Sequence, residues 1–293
     1  MAFNLQTFKT RASTAAIFVV IMLVGLLWNH WTFFLLFSII HFGCWIEFQK
    51  LVGLIDPDYR QITPLHKYGV MVAGWAFMLF MTNNTYALRS VTLHETGGLL
   101  LLVLGVVLPL WLVLLPKALS VKSIGYSLLG LLYISMTWGL MMDIRNVGLT
   151  GNRFEVVSDT GWIIPILLIA SIWINDTMAY IVGSFIGKTP FSSISPKKTW
   201  EGTGGGAILC VAVISLTGHY LFHIADVRTL VVISTIAAVI GTTGDLLESK
   251  LKRMAGVKDS GQIMPGHGGF LDRFDSLILA TPFVWLYVFL FLR

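Results

Sequence analysis

The 293-residue chain is 56% hydrophobic and only 12% charged, with a mean hydropathy of +0.79; a soluble domain carries roughly 25% charged residues. That composition excludes a soluble globular protein and places the chain in a bilayer. The formal net charge of +5 suits attraction to anionic lipid headgroups, so the expected partner is the bilayer and not nucleic acid.

A helical span needs about 20 mostly apolar residues to cross about 30 Å of hydrocarbon. Nine stretches qualify, at roughly 13–28, 30–50, 67–86, 98–116, 122–142, 161–187, 203–224, 228–247 and 276–292. Lys9 and Arg11 precede the first as they would in a signal peptide, but no small-residue cleavage site follows, so an ordinary anchor is expected. Asn29-His30, flanked by Trp28 and Trp31 as interfacial aromatics, splits the first two stretches into a hairpin. Cys44 and Cys210 fall inside spans, where small hydrophobes rather than a disulfide are expected. With the N-terminus inside, 15 of the 20 Lys and Arg face the cytoplasm and only Arg89, Arg145, Arg153, Arg228 and Arg293 face out, as the bias of cytoplasmic loops requires. The expectation is an all-α integral membrane protein, a polytopic bundle of about nine transmembrane helices. It forms a single polytopic membrane domain over 1–293, with N-terminal helices in about 1–142 and a motif-bearing half in about 161–293.

Chemistry concentrates in that second half. In the sixth span, WIIPILLIASIWINDTMAYIVGSFIGK, Asn175 and Asp176 sit near the middle, where an ionisable group costs about 2.5 kcal/mol or more. Either a hydrogen bond to a neighbouring span or the polar lining of a cavity satisfies it. Tyr180 and Gly183 share the helical face of Asp176, and Ala179, Gly183 and Gly187 recur at the four-residue spacing that lets a second helix approach.

The next loop contains Ser195-Pro196-Lys197-Lys198-Thr199-Trp200-Glu201-Gly202. Two ammonium groups and two hydroxyls just ahead of a helix start can hold phosphate oxygens. Gly187-Lys188-Thr189 is not a P-loop, because Val182 stands where the motif needs glycine and no strand precedes it. A basic cytoplasmic loop accounts for the lysines alone, but not for Glu201 or the glycines.

The third block spans the eighth and ninth stretches. Asp245 and Glu248 lie three apart on one helix face, and Asp272 and Asp275 repeat the spacing. Four converging carboxylates repel one another, and only cations resolve that. Lys250, Lys252, Arg253, Lys258 and Arg273 supply some, with Asp259 adding another carboxylate to the loop. Oxygen-only ligands with room for phosphate also match Mg²⁺. Between the halves, Pro265-Gly266-His267-Gly268-Gly269 forms a glycine turn, in which His267 donates to a phosphate, acts as acid or base, or braces the turn.

SKLKRMAGVKDSGQIMPGHGGFLDRFD, residues 249–275, resembles the C-terminal signature of the phosphatidate cytidylyltransferases, the CDP-diacylglycerol synthases. NDTMAYIVGSFIGK and ISPKKTWEG resemble that family's other recurring segments, in the same order. The resemblance covers about residues 175–206 and 244–276. It implies a multi-pass enzyme of the cell inner (plasma) membrane, usually a homodimer, that joins CTP and phosphatidate into CDP-diacylglycerol and pyrophosphate with Mg²⁺. It further implies that Asp245 and Asp272 ligate the metal, together with a monovalent cation such as K⁺. On that basis Asp245, Asp272, Lys252, Arg253 and His267 are expected at the reacting groups. Asn175, Asp176, Tyr180, Ser195, Lys197, Lys198, Thr199, Glu201, Glu248, Lys258, Asp259 and Arg273 are expected to hold substrate. The competing expectations are another CTP-dependent lipid enzyme, such as a polyprenol kinase, and an ion-coupled transporter. A transporter would show an internal repeat and a polar path to the outer face, and the sequence has neither.

Overall fold

A computed structural model describes residues 5–114, 120–153, 155–262 and 268–293. Helix α1 covers Leu5–Leu27, α2 His30–Ile55, α3 Pro57–Arg60, α4 Pro64–Phe80 and α5 Leu93–Leu114. Helix α6, Val121–Gly130, runs through a π-helical turn at Leu131–Ser135 into α7, Met136–Asn146. Then come α8, Ile163–Ile186, and α9, Trp200–Leu216, which ends in a second π-helical turn, Thr217–Leu221. Helices α10, Val227–Met254, and α11, Leu271–Phe291, complete the chain. Two short antiparallel hairpins pair Ala87–Leu88 with Val91–Thr92 and Leu149–Gly151 with Val156–Asp159.

The protein is therefore an all-α, multi-pass membrane protein. Each of the nine predicted stretches carries a helix, but among the described residues six helices are both long and apolar enough to cross a membrane. Among the described residues, α4 has 17 residues, about 26 Å at 1.5 Å per residue, and the described apolar stretches of α1 and α5 cover Ser13–Leu27 and Leu93–Val107. Side chains such as Ile17, Leu35, Leu102, Leu132, Phe185, Ile208 and Phe289 point outward, which suits a lipid solvent and would favour association in water.

The helix breaks follow the sequence. Asn29 caps α2 with a reciprocal pair, its Oδ1 accepting from Thr32 N at 2.9 Å while its own N donates to Thr32 Oγ1 at 3.2 Å, so the polar pair that splits the first apolar run makes a true hairpin. The core centres on α2, α7 and α11, where Trp138 stacks edge-on against Phe274, with centroids 5.8 Å apart, and Thr137 Oγ1 donates to Ile278 O at 2.9 Å. The π-turn at Leu131–Ser135 turns Ser135 inward, where Trp45 Nε1 donates to its hydroxyl at 2.8 Å and His41 Nε2 lies 3.0 Å away. Helices α8, α9, α10 and α11 pack on one another beside this core and carry the motifs. Cys44 and Cys210 are both free and buried, as expected.

Candidate active site

The α8–α9 pair is built on small residues. A side-chain carbon at Gly202 would lie 2.9 Å from Gly183 Cα, and one at Gly206 would lie 2.6 Å from the Ala179 backbone. This close approach is what the small-residue spacing predicted. It brings the loop between the helices over the polar face of α8. The loop folds back on itself: Phe191 N donates to Lys198 O at 2.8 Å and Trp200 N to Thr189 O at 3.0 Å. Thr199 caps α9 by accepting from Gly202 N at 3.1 Å. Glu201 holds the start of the loop, accepting from Thr189 Oγ1 at 2.8 Å and from Thr189 N at 3.1 Å.

Beneath the loop is a cavity of about 440 Å³ whose lining includes Asn175, Asp176, Tyr180, Ser195, Lys197, Lys198, Thr199, Thr242 and Asp245. Eight predicted residues from three separate segments thus meet in one place. Lys198 pairs with Asp245, joining the loop to α10. Asn175 is buried and its Oδ1 has no hydrogen-bond partner.

Asp245 also belongs to a tight acidic group. Oxygens of Asp245, Glu248 and Asp275 all lie within 4.8 Å of one another. Glu248 is wholly buried, with Lys252 Nζ 2.5 Å from its Oε2 and no hydrogen-bond partner at its Oε1. Three carboxylates with one unpaired buried oxygen form an all-oxygen donor set, the chemistry that suits Mg²⁺.

Asp272 stands outside this trio. Its Oδ1 accepts from Lys252 Nζ at 2.6 Å, and its Oδ2 accepts from Ser260 N, Ser260 Oγ and Gly269 N, each at 2.8 Å. Lys252 therefore links the trio to Asp272, while Asp272 clamps the signature loop. Asp245 thus groups with Asp275 and Glu248, and Asp272, expected beside Asp245 at the metal, is joined to that group through Lys252. Asp176, Asp272, Arg273 and Asp275 share a smaller cavity of about 120 Å³, closed by α1 through Phe18 and Met22. Asp176 lines both spaces.

Other predicted residues lie further off. Arg253 Nη1 donates to Val257 O at 3.0 Å, fastening the turn after α10. Lys258 and Asp259 are exposed in that loop and line none of these cavities. His267 lies outside the described residues.

Sequence reasoning missed Glu47. This α2 carboxylate is only 4% exposed and accepts from Ser260 Oγ at 2.7 Å and from Phe270 N and Leu271 N at 2.9 Å. It caps the start of α11, where backbone N–H groups lack helical partners, and shares Ser260 with Asp272. Gly261 and Gly269 are packed so closely on this carboxylate that a side chain at either would collide with it. Gly268, at φ +82°, would place a side-chain carbon 2.6 Å from Asp272 Oδ2. The available signal was a lone carboxylate in an apolar span, the same signal that marked Asp176.

The fold and site define a class: a helical membrane protein with a basic loop over a polar cavity and a carboxylate trio at the cavity wall. The chain belongs to the cytidylyltransferase family, whose profile matches residues 9–291. It is 37% identical to a phosphatidate cytidylyltransferase of Synechocystis sp. over 276 residues, 88% of this chain and 93% of that one. It is also 36% identical to the enzyme of that name from Bacillus subtilis over 61% of this chain and 63% of that one. A third relative, the chloroplastic phosphatidate cytidylyltransferase 4 of Arabidopsis thaliana, is 35% identical over 53% of this chain and 41% of its own length.

Proposed function

We propose that this protein is a membrane nucleotidyltransferase that converts CTP and phosphatidate to CDP-diacylglycerol and pyrophosphate in phospholipid biosynthesis. The observation that carries the reading is the meeting of Lys197, Lys198 and Asp245 at one polar cavity that adjoins the carboxylate trio, in a chain whose relatives bear that activity in their names. The lipid-kinase and transporter alternatives have no such support.

In this reading Lys197, Lys198, Ser195 and Thr199 hold the phosphates of CTP through charge-assisted hydrogen bonds. A phosphate oxygen of phosphatidate attacks the α-phosphorus in line, the bond to the β-phosphate bridging oxygen breaks, and pyrophosphate leaves. The phosphate monoester is already ionised near neutral pH, so no base has to remove a proton, and His267 serves as a positioning residue. The trio would hold Mg²⁺, which would supply Lewis-acid shielding of the phosphates; K⁺ beside it extends the same reading. Lys252 orders Glu248 and Asp272 around that site.

The reading includes about nine membrane crossings in one polytopic domain of a homodimer in the plasma membrane, with N-terminus and site cytoplasmic. The partition of Lys and Arg supports this orientation. The test is purified protein in mixed micelles with CTP, phosphatidate and Mg²⁺. CDP-diacylglycerol and pyrophosphate should appear in equal amounts, with UTP, GTP and ATP poor donors. Transfer of a lone phosphoryl group to lipid, or no lipid product, would overturn it.

A further inference from the structure

The polar cavity touches only one side of the trio. On the other side of α10, Glu248 lines a second space of about 290 Å³, enclosed by Phe48 and Val52 of α2, Leu129 and Tyr133 around the π-turn, and Leu251 of α10. It is almost wholly apolar, yet two of its lining residues carry a buried polar atom without a partner, Tyr133 Oη and Glu248 Oε1, and Lys250 adds a cation to its wall. Leu129 and Leu247 on its rim are about half exposed, at 51% and 46%, so the groove opens sideways to lipid. An apolar channel with an unpaired hydroxyl and an ammonium group fits an amphiphile with an anionic head better than a bulk lipid tail, because an unmet buried polar atom costs about 1–3 kcal/mol.

Resting on the proposed activity, we infer that this groove takes an acyl chain of the phosphatidate substrate, so that lipid and nucleotide approach the trio from opposite sides of α10. Tyr133 Oη donates to the glycerol ester, and Lys250 attracts the phosphate. The volume takes only part of a chain, so the remainder stays in the bilayer.

The test uses full-length protein in phosphatidylcholine nanodiscs and a phosphatidate bearing a diazirine on one acyl chain, with cross-links mapped by mass spectrometry. Labels should fall within 48–55, 126–133 and 247–254, and a tenfold excess of unlabelled phosphatidate should remove most of them while added phosphatidylcholine does not. Leu129→Trp should cut this labelling severalfold and lower the ratio of kcat/KM for long-chain over dihexanoyl phosphatidate about tenfold. Labels elsewhere, competition by any lipid, or an unchanged chain-length ratio in a folded Leu129→Trp protein would overturn the groove. Absence of CDP-diacylglycerol from every lipid would instead refute the proposed activity, whatever the labelling pattern.

Discussion

Lys198 reaches from the loop to Asp245 and faces the cavity. A hydrogen bond to a charged group is worth about 1.5–3 kcal/mol, roughly 10- to 150-fold in a constant. Lys198→Ala should therefore raise KM for CTP at least tenfold in a radiolabelled CTP assay, with Lys198→Arg recovering part of the loss. Asp245→Asn should lower kcat more than a hundredfold while thermal stability in detergent stays within a few degrees, because the trio keeps its shape but loses a charge. Near-normal turnover would remove Asp245 from the site. Glu47 acts at a distance. Its carboxylate meets three donors, and leaving them unmet costs about 1–3 kcal/mol each. Glu47→Ala should lower both melting temperature and kcat, and Glu47→Gln should restore most of the stability by keeping two acceptor lone pairs. If Glu47→Ala lost activity with no loss of stability, the carboxylate would have a direct chemical part instead.

At the scale of elements, the close packing of α8 on α9 positions the loop. Gly206 cannot accept a side chain without moving the Ala179 backbone, whereas a side-chain carbon at Gly204, on the same helix, meets nothing within 4 Å. Overpacking costs about 1–3 kcal/mol, so Gly206→Leu should reduce the melting temperature and weaken CTP binding together as the helices part. Gly204→Ala should stabilise by about 0.5–1 kcal/mol through helix propensity alone. Differential scanning fluorimetry on both variants separates the two effects. An equal outcome for the pair would mean that close α8–α9 contact does not hold the loop in place.

Across the whole molecule, the end opposite the trio is fastened by Arg145 on α7. Its guanidinium is 1% exposed, meets Asp159 through two contacts of 2.6 and 2.8 Å, and lies 5.4 Å from the Phe33 ring centre. Removing one partner of a fully buried pair costs about 3–5 kcal/mol; Asp159 keeps 27% exposure, so Arg145→Met should lower the melting temperature by less than that full penalty implies, with Arg145→Met/Asp159→Leu recovering much of the loss. A double variant as unstable as the single one would refute the pair's role. The sequence reading counted Arg145 only as an external loop charge, because hydropathy has no means of showing that a hairpin brings Asp159 to it. What sequence alone determined is the membrane class, the helix positions and the segments that meet at the candidate site, since those follow from local apolar runs, glycine spacing and charges too costly to bury unpaired. Tertiary structure alone decided which carboxylates lie together. Asp275 joined Asp245 and Glu248 while Asp272 turned to Ser260, Gly269 and Lys252, and Glu47 arrived from a helix more than 200 positions earlier. Spacing along one helix fixes the face a residue occupies, but the partner it meets depends on how helices distant in sequence pack.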